Sequence, residues 1–214
     1  MSQIIIFGGH GKVALHAARI LTADGHEVTS VFRNPDHSDD VAATGARPVV
    51  ADMENLGVEE LARFIEGHDA VVFSAGAGGG NPARTYAVDR DAAIRVIDAA
   101  GQANVPRFVM VSYYGAGTDH GVDEDNSFYH YAQSKAAADD HLRETDLDWT
   151  ILGPGSLTLE PATGRITVGE AAAGGSVSRE DVAQVVAAAL ADPGTARRTI
   201  EFNTGNTPIA DAIA

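Results

Sequence analysis

The feature that most constrains the fold is the stretch Ile4-Ile5-Ile6-Phe7-Gly8-Gly9-His10-Gly11-Lys12-Val13-Ala14 near the amino terminus. Ile4 to Phe7 is apolar at every position, the pattern of a parallel strand covered on both faces. Gly8, Gly11 and Ala14 then space small residues as Gly-x-x-Gly-x-x-Ala. That spacing permits a tight turn, close approach of a diphosphate, and close packing of helix on strand. The helix that follows, Lys12 to about Ala23, presents unpaired N–H groups and the positive end of its dipole at its first turn. Strand, glycine turn and helix form a dinucleotide cradle if the rest of the chain completes the fold. The same glycines would also serve an ordinary tight turn, so the remainder decides.

The remainder alternates. Glu27–Arg33 reads as a second strand, a short helix near Asp39–Thr44 ends at Gly45, and Arg47–Ala51 is a third strand. Val58–Phe64 reads as a helix and Ala70–Ser74 as a fourth, buried strand, followed by a glycine-rich stretch, Ala75–Gly80, that reads as a mobile loop. A long amphipathic helix runs from Pro82 or Ala83 to about Ala103, with Val88, Ala92, Ile94 and Ile97 at near-helical spacing. Arg107–Ser112 is a fifth strand, Tyr129–Thr145 a helix, and Trp149–Leu152 a sixth strand leading into Gly153-Pro154-Gly155. Beyond it lie a possible strand at Arg165–Val168, a helix capped by Ser178 that runs to about Ala191, and a last strand at Thr199–Asn203. This order predicts a single α/β domain over residues 1–214, a Rossmann-like doubly wound parallel sheet with helices on both faces. A small substrate-side region falls at about 153–177.

Charge narrows the partners. Thirty Asp and Glu against fifteen Lys and Arg give a formal charge of −15. That field repels phosphate backbones and anionic bilayers, which argues against nucleic-acid and membrane partners. With no cysteine there is no disulfide, thiolate metal site or cysteine nucleophile. No apolar run approaches the ~20 residues that cross a bilayer, and Met1 leads almost directly into the first strand, leaving no room for a signal peptide. The expectation is a cytoplasmic protein, monomer or homodimer, with a small-molecule substrate.

Chemistry-bearing residues gather at the carboxyl ends of these strands. Where dinucleotide folds usually place an acid for the ribose 2′-hydroxyl, this chain has Arg33, followed by Asn34. An arginine there can hold a 2′-phosphate bidentately, which favours NADP over NAD. Asp52 and Met53, after strand three, are placed to meet an adenine, by accepting from its amine and packing on its ring. Ser74, Ala75 and Gly76 are small residues that let a cofactor approach strand four. Tyr131 and Lys135 lie four apart on one helix, so the ammonium could lower the tyrosine pKa toward the range of proton transfer. Lys135 could also hold the nicotinamide ribose, and Ser112 could polarise an acceptor carbonyl. Tyr113 and Tyr129 read as pocket-lining competitors for the donor role. His10, within the turn, reads as a loop residue near the diphosphate. The remaining histidines have no metal-ligand spacing, and Asp139-Asp140 read as the wet face of a helix.

As a set these segments resemble the atypical short-chain dehydrogenase/reductases that bind NAD(P)H, the NmrA-like and biliverdin reductase B (flavin reductase)-like proteins. The resemblance is carried by Gly8 to Ala14, His68 to Gly76, Val88-Asp89, Val105 to Ser112, Tyr131 to Lys135, Leu147 to Gly155 and Ser178 to Val182. It implies a Rossmann fold that binds NADP through Gly8, His10, Gly11, Lys12, Val13 and Arg33, with the segment at Pro154 passing the nicotinamide. Relatives often carry Arg-Pro-Gly there; Gly153 replaces the arginine, which removes an anion contact from that position. The reading that follows is an NADP(H)-dependent reductase with Tyr131, Lys135 and Ser112 as catalytic residues and a small or planar carbonyl, quinone or flavin as acceptor. A non-catalytic NADP(H) sensor and an NAD(P)-dependent epimerase are the alternatives.

Overall fold

A computed structural model describes residues 1–77 and 81–214, so the Gly78–Gly80 part of the expected mobile loop lies outside the described residues. The central strand is β1 (Gln3–Phe7), buried from Ile4 onward. Its side chains alternate between two cores, because successive residues of a strand point to opposite faces. Ile4 and Ile6 pack with α1 (Lys12–Ala23) and α7 (Arg179–Ala191) on one face. Ile5 and Phe7 pack with α3 (Val58–Ile65), α5 (Ala93–Gln102) and α6 (Tyr129–Arg143) on the other.

The expected strands appear as β2 (Glu27–Phe32), β3 (Arg47–Val50), β4 (Ala70–Phe73), β5 (Arg107–Val111) and β6 (Asp148–Pro154), all parallel to β1. The sheet continues through β10 (Arg198–Thr204), parallel to β6, and then β8 (Arg165–Val168) and β11 (Thr207–Pro208), which are antiparallel. The order β3-β2-β1-β4-β5-β6-β10-β8-β11 reverses direction between β1 and β4. In doubly wound sheets that reversal opens a crevice at the carboxyl edge, where ligands bind. The fold is Rossmann-like, mostly parallel, with helices on both faces. Short helices α2 (Ser38–Ala42) and α8 (Ile209–Ile213) complete the two layers.

Two details depart from the sequence reading. The long helix begins as α4 (Pro82–Thr85), widens to a π-helical segment at Tyr86–Ala92, and only then becomes α5. Widening rotates the side chains that follow, and such segments are frequent at functional sites. Here it accompanies the full burial of Asp89. The region after β6 also holds an unexpected pair of parallel strands, β7 (Ser156–Thr158) and β9 (Ser176–Ser178). The buried carboxylate of Asp181 secures this region. It accepts from the amides of Thr163 (3.1 Å) and Gly164 (2.8 Å) and from the Ser178 hydroxyl (2.9 Å).

The turn after β1 is fixed by crowding. Gly8 has φ +82°, and a Cβ on it would lie 2.6 Å from the backbone of Ala75. A Cβ on Gly9 would lie 2.6 Å from that of Ser30. Gly8→Ala is therefore expected to lower stability by about 2–4 kcal/mol, combining left-handed strain with a backbone clash. Gly25, at φ +84° with nothing within 4 Å of its notional Cβ, is the control. Gly25→Ala should cost only about 1 kcal/mol. Denaturant melts of the two variants check the difference, and equal losses would contradict the crowding argument.

Candidate active site

The cradle is assembled from backbone. Gly8 and Gly9 both donate to Val31 O, at 3.1 and 2.9 Å, and Gly11 donates back to Gly8 O at 2.8 Å. Gly11 is the N-cap of α1 and, lacking a side chain, caps nothing, so the first-turn amides of Lys12, Val13 and Ala14 have no side-chain partner. Those amides, with the helix dipole behind them, form an anion seat.

Two clefts flank the turn. One, of about 320 Å³, is lined by Gly8, His10, Arg33, Asp52, Met53 and Arg84, among others. Here Arg33 Nη1 meets Glu54 Oε1 at 3.0 Å, and Arg84 Nε approaches the same oxygen at 3.4 Å. His10 and His37 stack with ring centroids 3.5 Å apart, and His10 Nε2 lies 3.0 Å from Asp40. Asp52 is occupied with its own turn, accepting from Glu54 N and from Asn55 Nδ2. Met53 is nearly buried and joins the core beneath. The other cleft, of about 610 Å³, runs past Gly11, Lys12, Val13, Ser74, Ala75 and Gly76 to Ser112 and Tyr131.

Beneath the second cleft is a layer of buried charge. Lys135 is fully buried, and its ammonium donates to Val111 O at 2.8 Å and meets Met110 Sδ at 3.5 Å. Burial pulls the Lys135 ammonium down, while Asp139 and Asp89 hold it up. Both acids are fully buried and raised by burial. Asp89 accepts the Ala77 amide at 2.9 Å, and Asp139 accepts the Ser112 hydroxyl at 2.5 Å. This corrects three expectations. Tyr131 is raised well above the ordinary tyrosine value, first by burial and then by Asp89 and Asp139. Lys135 does not bring it down, because the ammonium is turned toward the sheet, where it donates to Val111 O. Ser112 donates to Asp139 in place of an acceptor. Asp139, expected on a wet face, lies at the centre of the layer.

A further cleft, also about 610 Å³, adjoins this layer and is lined by Tyr113, Tyr114, Phe128, Tyr131, Pro154 and Leu157 among others. Tyr113, Phe128 and Tyr131 form a ring cluster with centroids 5.1–5.6 Å apart. Ser112, Tyr131, Phe128 and Leu157 line both clefts, so the two adjoin.

Comparison with known proteins agrees with this geometry. A family described as NAD(P)H-binding matches residues 8–193. The chain belongs to the NAD(P)H-binding family. UPF0659 protein C216.03 of Schizosaccharomyces pombe is 37% identical, covering 100% of this chain and 94% of its own. Uncharacterized sugar epimerase YhfK of Bacillus subtilis is 33% identical over 99% and 98% of the two chains. Among solved structures, a Bacillus halodurans protein assigned as an NAD-dependent epimerase/dehydratase superposes with a TM-score of 0.91, at 33% identity over 100% and 99%. The oxidoreductase ylbE of Lactococcus lactis gives 0.88, at 26% over 99% and 94%.

Within an NAD(P)H-binding protein these features fit a dinucleotide. The turn leaves no room for a Cβ above the cradle, the α1 amides face outward, and cleft residues continue on either side. The structure brings Gly8, His10, Gly11, Arg33, Asp52, Met53, Ser74, Ala75 and Gly76 to one cleft and Lys12, Val13, Ser112 and Tyr131 to the next. Lys135 lies under them, and Pro154 stands in the adjoining aromatic cleft. Sequence reasoning missed Glu54, Arg84 and Asp139. Asp139 had a usable signal, since it stands four residues after Lys135 and shares its helix face.

Tyrosine ionisation tests the electrostatics. Followed by ultraviolet absorbance, Tyr131→Phe should delete the component that ionises at the highest pH, because burial and two acids oppose its phenolate. Deletion of an ordinary-range component would contradict the arrangement.

Proposed function

We propose that the protein is a cytoplasmic NADPH-dependent reductase of short-chain type, acting on a planar, largely apolar acceptor such as a quinone, flavin or aromatic carbonyl. The observation that carries this reading is that the dinucleotide cleft and the aromatic cleft adjoin at Ser112, Tyr131, Phe128 and Leu157. Hydride donor and acceptor can meet there. Bound NADPH would supply the hydride. The cradle amides and Lys12 would hold its diphosphate, and Arg33, with Arg84 close by, its 2′-phosphate.

Tyr113, Tyr114, Phe128 and Leu157 would sandwich a flat ring by offset stacking. Residues 153–177, carrying β7 and β9, form the substrate-side region of a single NAD(P)-binding domain. Tyr131 stays protonated across the working range, which suits a hydrogen-bond donor to the acceptor better than a phenolate base. Monomer and homodimer are both compatible with this site.

An epimerase with retained cofactor is the second reading, favoured by the names of two relatives. The aromatic lining favours a flat ring over a polar sugar. The two part in one experiment, which follows NADPH oxidation with quinones, flavins and aromatic aldehydes beside epimerisation of nucleotide-sugars by the protein as isolated. Steady oxidation supports the reductase; epimerisation without net NADPH loss would replace it.

Cofactor choice has its own test. Arg33→Ala should weaken NADPH binding by about 1.5–3 kcal/mol, the value of a charge-assisted hydrogen bond, and leave NADH nearly unchanged. Fluorescence titration measures both, and equal losses would remove Arg33 from the 2′-phosphate site.

A further inference from the structure

Asp139 is a buried titratable group for which the chemistry above has no use. It follows Lys135 by one turn of α6, is fully buried, and holds the Ser112 hydroxyl through Oδ2 at 2.5 Å, while Oδ1 has no partner among the described residues. Ser112, itself nearly buried, borders both clefts. A carboxyl so placed affects the serine in opposite ways in its two states. Ionised, it accepts the serine proton and turns the hydroxyl away from the cleft. Neutral, it donates its own proton to Ser112 Oγ and frees the serine O–H to reach a bound acceptor.

We propose that Asp139 is a proton store that acts through Ser112: the acceptor's developing oxyanion takes the Ser112 hydroxyl proton, and Ser112 takes the carboxyl proton of Asp139. This rests on the reductase reading above. Both electrons arrive as the hydride that bound NADPH supplies. One O–H bond forms on the acceptor as that of Ser112 breaks, and the Ser112 bond is remade as that of Asp139 breaks. Asp139 is left as a carboxylate beside the Lys135 ammonium and regains a proton from solvent once product leaves.

The surrounding charges support a stored proton. Burial raises Asp139, against the pull of Lys135, the Ser112 hydrogen bond and Arg143, with Asp140 adding to the rise. From the π-helical segment Asp89 faces the same ammonium, and from the loop after β5 Tyr113 faces the Asp139 carboxylate. The nearby acid of α5, Asp98, is engaged with His141 at 2.7 Å. One buried ammonium thus answers two buried carboxyls. With Arg84 acting on Asp89 and burial dominating at Asp139, a proton held in this layer is favoured on Asp139.

Two measurements test this. In the ligand-free protein, carbon NMR of labelled aspartate, with Asp139 assigned by its loss in Asp139→Asn, should show it protonated well above the ordinary aspartate range. Titration within that range overturns the proposal. Separately, NADPH oxidation with menadione is followed against pH for wild type, Asp139→Asn, Ser112→Ala and the double variant. Wild-type turnover should fall as pH rises through the Asp139 titration, since only the protonated form delivers. Each single variant should lose about 10²-fold in kcat, the low end for a general acid. NADPH affinity should be unchanged, and the double variant should be no worse than either single one. The alkaline limb should be missing from Asp139→Asn. Full turnover in either variant, or losses that multiply, overturns the relay. If Asp139→Asn does not fold, Ser112→Ala decides alone. Should wild type oxidise NADPH with no acceptor in the panel while Asp139 still titrates high, the reductase reading falls, and the relay with it.

Discussion

Everything at the carboxyl edge of the sheet depends on one steric fact, the passage of the Gly8-Gly9 turn between the tips of β2 and β4. The backbone of Ala75 and the Cβ of Ser30 each stand within 2.6 Å of where a side-chain carbon would be. Two glycines are therefore needed before any ligand is considered. Their close passage brings the first turn of α1 to the crevice where the sheet reverses order. The anion seat needs a third glycine, since Gly11 has no side chain to cap the α1 amides.

A second constraint runs beneath the first. Lys135 carries an ammonium into a fully buried position, where an unpaired charge would cost several kcal/mol. The fold answers with Asp139 from the same helix and Asp89 from the π-helical segment. Two carboxyls thus face one ammonium. Burial, and after it the two acids, lift Tyr131; Asp139 engages Ser112, and among the described residues Asp89 Oδ1 and Asp139 Oδ1 have no hydrogen-bond partner. Burial of a single lysine thus reaches most of the polar groups below the cleft.

The fold was legible in the sequence because unbroken apolar runs such as Ile4–Phe7 and Ala70–Phe73 have few alternatives to a doubly covered parallel strand. The cradle was equally legible, since glycine spacing is a local property. The buried layer was less so. Asp139 and Asp140 are neighbours with the same chemistry, yet one is fully buried and the other is not. Only helix phase relative to Lys135 separates them. The π-helical widening at Tyr86–Ala92 has no sequence marker that periodicity detects, and Glu54 meets Arg33 across a gap of 21 residues. β7 and β9 are three residues each and pair in parallel across the intervening β8, too short and too distant for a pattern of alternation.

The Asp181 carboxylate ties the loop before β8 to the start of α7, and so anchors the far side of the aromatic cleft to the core. The loop between β7 and that anchor contains Leu159, 74% exposed. It can therefore exchange its side chains with little consequence for the scaffold. Sequence change in residues 159–162 would then leave the turn, the charge layer and the anchor in place. Leu157, in β7 at the head of that loop, is the point where such change would meet the aromatic cleft.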